Sequence, residues 1–202
     1  MIILKKQSIL FCLFFIIILM VNGCARQVAT ETLRIEKGPA PEIIAEDGKA
    51  KVMPAGFIKR RLRLGMPSIK DVVINDLQYI YITDKWFLDV VKWTENFIAL
   101  QAPNLDLDKH YPIAYDGTFS SLAANIANIA VAKKYNLKAS VLIGLIVAEN
   151  TNPWGKIPGD GASQVYVIAL TEHDGIVYDI HTKQTVLFSN FPNFDSIKSI
   201  MF

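Results

Sequence analysis

The stretch SSLAANIANIAVAKKYN, residues 120–136, precedes the stretch ASVLIGLIVAE, residues 139–149, by only two residues. The first predicts a helix from Ser121 to about Asn136, because apolar side chains recur in it at intervals of three and four. The second predicts a buried strand, because a short apolar run rich in Val and Ile is typical of one. The many alanines favour close approach of the helix to a sheet. The helix side chains expected to face that sheet are Leu122, Ile126, Ile129 and Ala130.

More strands are predicted toward the C-terminus. Residues 164–172 and 176–180 flank His173-Asp174-Gly175, a turn sequence that predicts an antiparallel hairpin. Residues 185–188 predict a further strand, and a helical turn is expected after Asp195.

Toward the N-terminus, residues 76–83 predict an extended segment. A helix capped by Asp84 is expected to follow and to end before Pro103. The predicted fold class is therefore α+β, with the alanine-rich helix packed on an antiparallel sheet. The folded domain is expected to span residues 67–202.

Residues 1–23 have the three parts of a secretory signal peptide. Lys5 and Lys6 form a positive start, residues 8–21 are almost wholly apolar, and a small residue precedes a break. The apolar run is shorter than the roughly 20 residues that a spanning helix needs. An uncleaved membrane helix is the alternative interpretation.

The end of this run, Val21-Asn22-Gly23-Cys24, resembles the lipobox of bacterial lipoproteins. In that signal an aliphatic residue stands three positions before an obligatory Cys and a small residue stands just before it; Asn22 is a less usual filler. The resemblance implies cleavage after Gly23, acylation of Cys24 and attachment to a membrane of the cell envelope. Ala25 stands where Asp often signals inner-membrane retention, which favours the outer membrane, facing the periplasm.

Residues 24–66 predict the lipid anchor and a flexible tether. Gly38-Pro39-Ala40-Pro41 and Met53-Pro54-Ala55-Gly56 interrupt every apolar period in this segment. Lys59-Arg60-Arg61-Leu62-Arg63 is a basic cluster that either contacts anionic lipid or a partner, or forms an ordinary solvated surface.

Charge and cysteine content exclude several classes of function. The chain has 21 Lys and Arg against 19 Asp and Glu, and two of the lysines lie in the leader. Nucleic-acid binding is not expected, because it needs a concentrated basic surface. The two cysteines, Cys12 and Cys24, leave the body without a thiol. Three scattered histidines predict no metal site, and no glycine-rich loop leads into a helix, so no cofactor is expected.

The order of elements over residues 76–188 resembles the transglutaminase-like fold, and within it the bacterial transglutaminase-like cysteine proteinases. In that family a Cys opens a buried helix, a later strand starts with a His, and the next strand ends in Asp or Asn. The resemblance implies a helix N-terminus that lowers the Cys pKa, a His that deprotonates the thiol and an acid that orients the His.

Two of the three catalytic identities are absent. Gly117-Thr118-Phe119-Ser120 stands where the family has its Gly-x-Cys turn, so Ser120 or Phe119 takes the Cys place. Gln164 or Ser163 takes the His place, and Asp179 matches the third member. The resemblance therefore implies a degenerate transglutaminase-like domain, with Ser120, Gln164 and Asp179 as vestigial-site candidates and without the family's thiol chemistry.

A serine nucleophile at Ser120 is the enzymatic alternative, and it needs a base. His110 and His181 are the candidate bases, because His173 is expected in a turn at the far end of its strand. Helix capping is the structural interpretation of Ser120. Asp179 likewise has a structural interpretation, as an ordinary acidic residue at the end of a strand.

These features predict a membrane-anchored lipoprotein with a non-catalytic binding or assembly role and a protein partner in the envelope. One alternative is a hydrolase or transferase with a Ser nucleophile. Another is a lipoprotein subunit of a secretion or surface-polymer export system, with contacts in the tether and in the loop around Trp154.

Overall fold

A computed structural model of the protein describes residues 38–67, 69, 71–101, 112–149, 163–192 and 196–202. The predicted signal peptide, Cys24, His110 and the loop around Trp154 lie outside these residues. Pro39–Phe202 form a compact unit. No helix among the described residues is long and apolar enough to cross a membrane.

The longer strands belong to the C-terminal half of the chain, and short strands precede them. In chain order they are β1 (Ala45–Glu46), β2 (Lys49–Ala50), β3 (Val52–Pro54), β4 (Asp71–Val73), β5 (Gln78–Ile80), β6 (Ser140–Val141), β7 (Ile143–Glu149), β8 (Ser163–Leu170), β9 (Gly175–Tyr178), β10 (Thr185–Leu187) and β11 (Ile197–Met201).

The centre of the fold is a six-stranded sheet in the order β10-β9-β8-β7-β11-β4. All neighbours in it are antiparallel except β11 and β4. A three-stranded sheet has the order β3-β5-β6, and a separate hairpin joins β1 to β2 through Asp47 and Gly48, both at positive φ.

Three α-helices of the described residues pack around the six-stranded sheet. They are α1 (Ala55–Gly65), α2 (Asp84–Gln101) and α3 (Pro112–Tyr135). The hydroxyl of Thr83, rather than Asp84, accepts the hydrogen bond that caps α2, from the Trp86 amide. The predicted stop of α3 is confirmed, because Asn136 follows it at φ 52°.

Two apolar cores lie on opposite faces of the sheet. One contains α2 and α3 packed over side chains of β7, β8 and β9, and α3 contributes small residues to it, including Ala123 and Ala127. The other contains Ile58 and Leu62 of α1 with the opposite faces of the same strands. The predicted α+β architecture, with an alanine-rich helix on a largely antiparallel sheet, is confirmed.

The folded part begins earlier in the chain than the sequence analysis predicts. The expected tether extends to residue 66, but β3 pairs with β5 and α1 buries Ile58 and Leu62. The prediction is wrong for residues 39–66, because the Pro and Gly residues there punctuate short strands and start a helix instead of keeping the chain extended.

The C-terminus also differs from expectation. Ser196 lies in a 3-10 turn, but Ile197–Met201 then form β11 between β7 and β4, a strand that the sequence did not predict. Isolated from its neighbours, this five-residue run carries no clear period. Hydrogen bonding to β7 on one edge and to β4 on the other stabilises residues 197–201 as a strand, although their own sequence does not favour one.

Candidate functional site

Ser120 lies inside α3 and not at its N-terminus. The helix begins at Pro112, so Ser120 is about two turns along it. The buried hydroxyl donates a 2.8 Å hydrogen bond to the carbonyl oxygen of Gly144. The prediction that Ser120 caps the helix is therefore wrong, and Ser120 does not stand at the helix N-terminus that the family resemblance implies for the Cys place.

Gly144 also allows the end of β11 to approach β7, because it carries no side chain. A Cβ there would lie 1.9 Å from the carbonyl oxygen of Met201 and 2.7 Å from Cδ1 of Phe202. The end of β11 thus approaches β7 more closely than any other residue type would permit. The hydrogen bond from Ser120 to the Gly144 carbonyl joins α3 to the sheet beside this close approach.

Gln164 is buried in β8, opposite Ala148 of β7. Neither atom of its side-chain amide has a hydrogen-bond partner among the described residues. Since side chains alternate along a strand, Gln164 lies on the same face as Tyr166 and Ile168, which belong to the core containing α1. The side chain in the predicted His place is thus a group that cannot accept a proton near neutral pH.

Asp179 follows β9 and is fully buried. Its Oδ1 accepts hydrogen bonds from the backbone amides of His181, at 2.9 Å, and Thr182, at 3.3 Å. Its Oδ2 has no hydrogen-bond partner within the described part of the chain. Asp179 therefore holds the reversal from β9 to β10, a structural role that needs no imidazole.

A buried carboxylate–imidazole pair lies close to this turn. The Nε2 atom of His181 is 3.2 Å from the carboxylate of Asp116, and both side chains are largely shielded from solvent. Burial, followed by the charges of Asp179 and Asp116, raises the pKa of the Tyr166 phenol. His181 joins the two carboxylates, because its backbone amide donates to Asp179 and its ring contacts Asp116. The three residues form a polar cluster where α3 meets the β9–β10 turn, and the charges of its carboxylates act on the Tyr166 phenol.

Sequence reasoning missed Asp116, because it predicted that the helix starts at Ser121. Asp116 lies four residues before Ser120, so the two occupy one face of α3. This spacing, together with an acid at the edge of an apolar run, is the signal that could have identified it. His181 is one of the predicted bases, but its side-chain partner is Asp116 and not Ser120.

The three sequence-predicted positions do not meet. No hydrogen bond joins Ser120, Gln164 and Asp179 to one another in the part of the chain that the structure describes. No group of three or more His, Cys, Asp or Glu side chains that could hold a metal ion occurs among the described residues.

A cavity of about 400 Å³ opens beside Ser120. One wall is the exposed side of α3, and the facing wall is formed by β6, the start of β7, residues 75–79 and the end of the chain at residues 201–202. Asn128 Oδ1 accepts a 2.7 Å hydrogen bond from the Val141 amide and so joins the two walls, and the Ser140 hydroxyl donates to Asp76 within the facing wall. The described lining includes no basic side chain. Its polar members from α3 are Ser120, Ser121, Asn125 and Asn128.

Comparisons with known proteins identify no family for this chain. Neither a family model nor a curated protein matches it. Seven chains of solved structures do match it. One of them, the "PSL1a-E64 complex", is 12% identical with a TM-score of 0.49, and the match covers 75% of this chain and 50% of that one.

Proposed function

We propose that this protein is a lipoprotein held on an envelope membrane and that its folded domain, without catalysing a reaction, binds a segment of a protein partner. The domain is a degenerate transglutaminase-like domain under this proposal. The observation that carries it is the Ser120 hydroxyl, which is buried and donates its proton to the Gly144 carbonyl.

The chemistry of the candidate site supports a binding role. A serine becomes a useful nucleophile only when a base takes its proton, but the Ser120 hydroxyl donates to a carbonyl oxygen and not to an imidazole. The His place is held by Gln164, which has no basic group. One carboxylate oxygen of Asp179 accepts hydrogen bonds from the backbone amides of a turn.

The cavity beside Ser120 is the place where the partner is proposed to bind. Hydroxyl and amide side chains line it together with apolar ones and the carboxylate of Asp76, and the hydroxyl and amide groups both donate and accept hydrogen bonds. An extended peptide offers the complementary donors and acceptors along its backbone. A volume of about 400 Å³ suits a few residues of such a segment.

A photo-crosslinker tests this site directly. A benzophenone-bearing phenylalanine analogue at position 125, which is exposed and lines the cavity, is expected to form a discrete protein adduct on irradiated cells. The same analogue at position 129, on α3 but outside the cavity lining, is the matched control because Ile129 is also exposed. Equal adducts at both positions, or none at position 125, would contradict a partner at this site.

One observation favours a serine hydrolase or transferase as the second candidate. His181 is held by Asp116, and Asp116 lies one helical turn before Ser120. A rotation of Ser120 away from Gly144 is the step that such an enzyme would require. A lipoprotein subunit of a secretion or surface-polymer export system is compatible with the binding proposal and would identify its partner.

Covalent probes distinguish the enzyme from the binder. Purified residues 25–202, treated with a fluorophosphonate, are expected to show no adduct at Ser120, because the hydroxyl is buried and lacks a base. Ser120→Ala should lower the free energy of unfolding by about 1–2 kcal/mol, since the Gly144 carbonyl loses its donor. The exposed neighbour Ser121 supplies the control, Ser121→Ala, which should leave stability unchanged. A Ser120 adduct that disappears in His181→Ala would establish the enzyme instead.

A further inference from the structure

The helix α1 carries an unbalanced charge. Its sequence, AGFIKRRLRLG, contains four basic residues and no acidic one. Ile58 and Leu62 anchor its inner side in the core. Because the inner side of α1 is packed in the core, the direction in which its outer side faces is fixed. The basic cluster is therefore part of the folded domain and not of a flexible tether.

Two large apolar side chains share the outer side with the basic ones. Phe57 is 48% exposed and Leu64 is 75% exposed, and they are seven residues apart, so they lie on one line along the helix. Arg60 lies beside them around the helix, and Arg63 and Lys59 follow on the side of Arg60 away from Phe57 and Leu64. Leu77 is 87% exposed, and its carbonyl oxygen accepts a 3.0 Å hydrogen bond from the first amide of α1.

The basic side chains differ in what they already bind. Arg61 is committed to the fold, since it donates to the Tyr81 hydroxyl and to the carbonyl oxygens of Thr171 and Asp174. Lys59, Arg60 and Arg63 are exposed and have no hydrogen bond or ion pair to any described residue. Three cations are thus available to an external anion.

We propose that the outer face of α1, comprising Phe57, Lys59, Arg60, Arg63 and Leu64, is a membrane-contact surface for anionic phospholipid headgroups. Charge complementarity selects the occupant, because a helix with exposed cations and no acidic residue of its own is attracted to an anionic bilayer. The exposed Phe57 and Leu64 then enter the headgroup boundary, as apolar side chains of interfacial helices do. The face is the convex side of a helix, which suits a flat bilayer better than an inserted peptide.

This inference rests on the proposed lipid anchor. The chain from Cys24 to Pro39 spans at most roughly 50 Å when extended. A lipid on Cys24 would therefore keep the compact unit within reach of the bilayer, where weak contacts by α1 suffice to orient it. Since α1 and α3 pack on opposite faces of the sheet, α3 would then lie on the side away from the membrane.

Vesicle flotation of purified, unlipidated residues 25–202 tests the surface, because no acyl chain then contributes to binding. The chain is expected to float with vesicles of about 70% phosphatidylcholine and about 30% phosphatidylglycerol, and not with phosphatidylcholine alone. Each basic side chain is worth about fivefold, so Lys59→Gln, Arg60→Gln and Arg63→Gln together should weaken binding roughly a hundredfold. Phe57→Ser with Leu64→Ser should weaken it further at constant charge.

The matched control removes the same charge elsewhere. Lys85, Lys92 and Lys138 are exposed and lie outside α1, and their replacement by Gln should reduce binding by less than about threefold. Equal losses in the two triple variants, or equal binding to neutral vesicles, would overturn the proposal. So would binding of the α1 face to an acidic protein in place of vesicles. Palmitate labelling of Cys24 is independent of all these outcomes, so failure of the anchor and failure of the α1 surface are distinguishable.

Discussion

Cys24→Ser is expected to abolish metabolic labelling of this protein with palmitate and to leave the uncleaved precursor in the membrane fraction. The expectation follows from Val21-Asn22-Gly23-Cys24, in which the thiol sulfur is the only atom that can carry a thioether-linked lipid. The effect is all or none, since a hydroxyl does not replace a thiol in that linkage. Radiolabelled palmitate with immunoprecipitation measures it.

The leader supplies its own control. Cys12 is the only other cysteine of the chain and lies within the apolar run. Cys12→Ser should keep both labelling and processing, because it leaves the four residues at the cleavage site unchanged. Equal labelling of Cys24→Ser and the parent chain would refute the lipoprotein proposal, whatever the folded domain binds.

The local sequence pattern predicted the central helix and strand, but it did not predict which side of the helix packs on the sheet. Ile126 is buried as expected, whereas Ile129 is exposed and Ala123 and Ala127 occupy the sheet-facing side. The reason is physical. Apolar and polar residues are not segregated to opposite sides of α3, so hydrophobic periodicity does not select a face. The close approach of the backbone to the sheet favours the alanines.

The candidate site was predicted only in part, because its geometry depends on where α3 begins. Thr118 and Ser120 are typical caps, and they suggested a start that lies about two turns too late. Phe119 and Ala123 pack against the sheet, and this tertiary packing stabilises the helix N-terminal to Ser120, which local sequence preference alone did not predict. Asp116 was consequently placed in a loop, and its contact with His181, 65 residues away, is tertiary information that no local pattern contains.

The folded role of α1 escaped prediction for a related reason. A helix with only Ile58 and Leu62 buried has too few apolar residues to be distinguished from a solvated basic stretch. The core that receives these two side chains is assembled from strands far along the chain. Sequence analysis thus identified the basic cluster but not its fixed orientation.

Gly144→Ala is expected to destabilise the fold by about 3 kcal/mol or more, because overpacking against backbone is relieved only by moving it. The added methyl would meet the Met201 carbonyl oxygen and the Phe202 ring. These atoms belong to the end of β11 and the residue after it, and β11 pairs with β7 and β4 inside the sheet, so a shift there disturbs two ladders at once. Ser120 would also lose its acceptor position.

Thermal unfolding of residues 25–202, followed by circular dichroism, measures the effect. A loss of about 3 kcal/mol corresponds to a fall in Tm of about 10 °C for a domain of this size. Gly117→Ala is the matched control, since a Cβ at Gly117 in α3 meets nothing within 4 Å. That variant should be unchanged or slightly more stable, because Ala favours a helix over Gly by up to about 1 kcal/mol. If both variants melt like the parent chain, the close approach of β11 to Gly144 is wrong, and with it the position of the acceptor that holds the Ser120 hydroxyl.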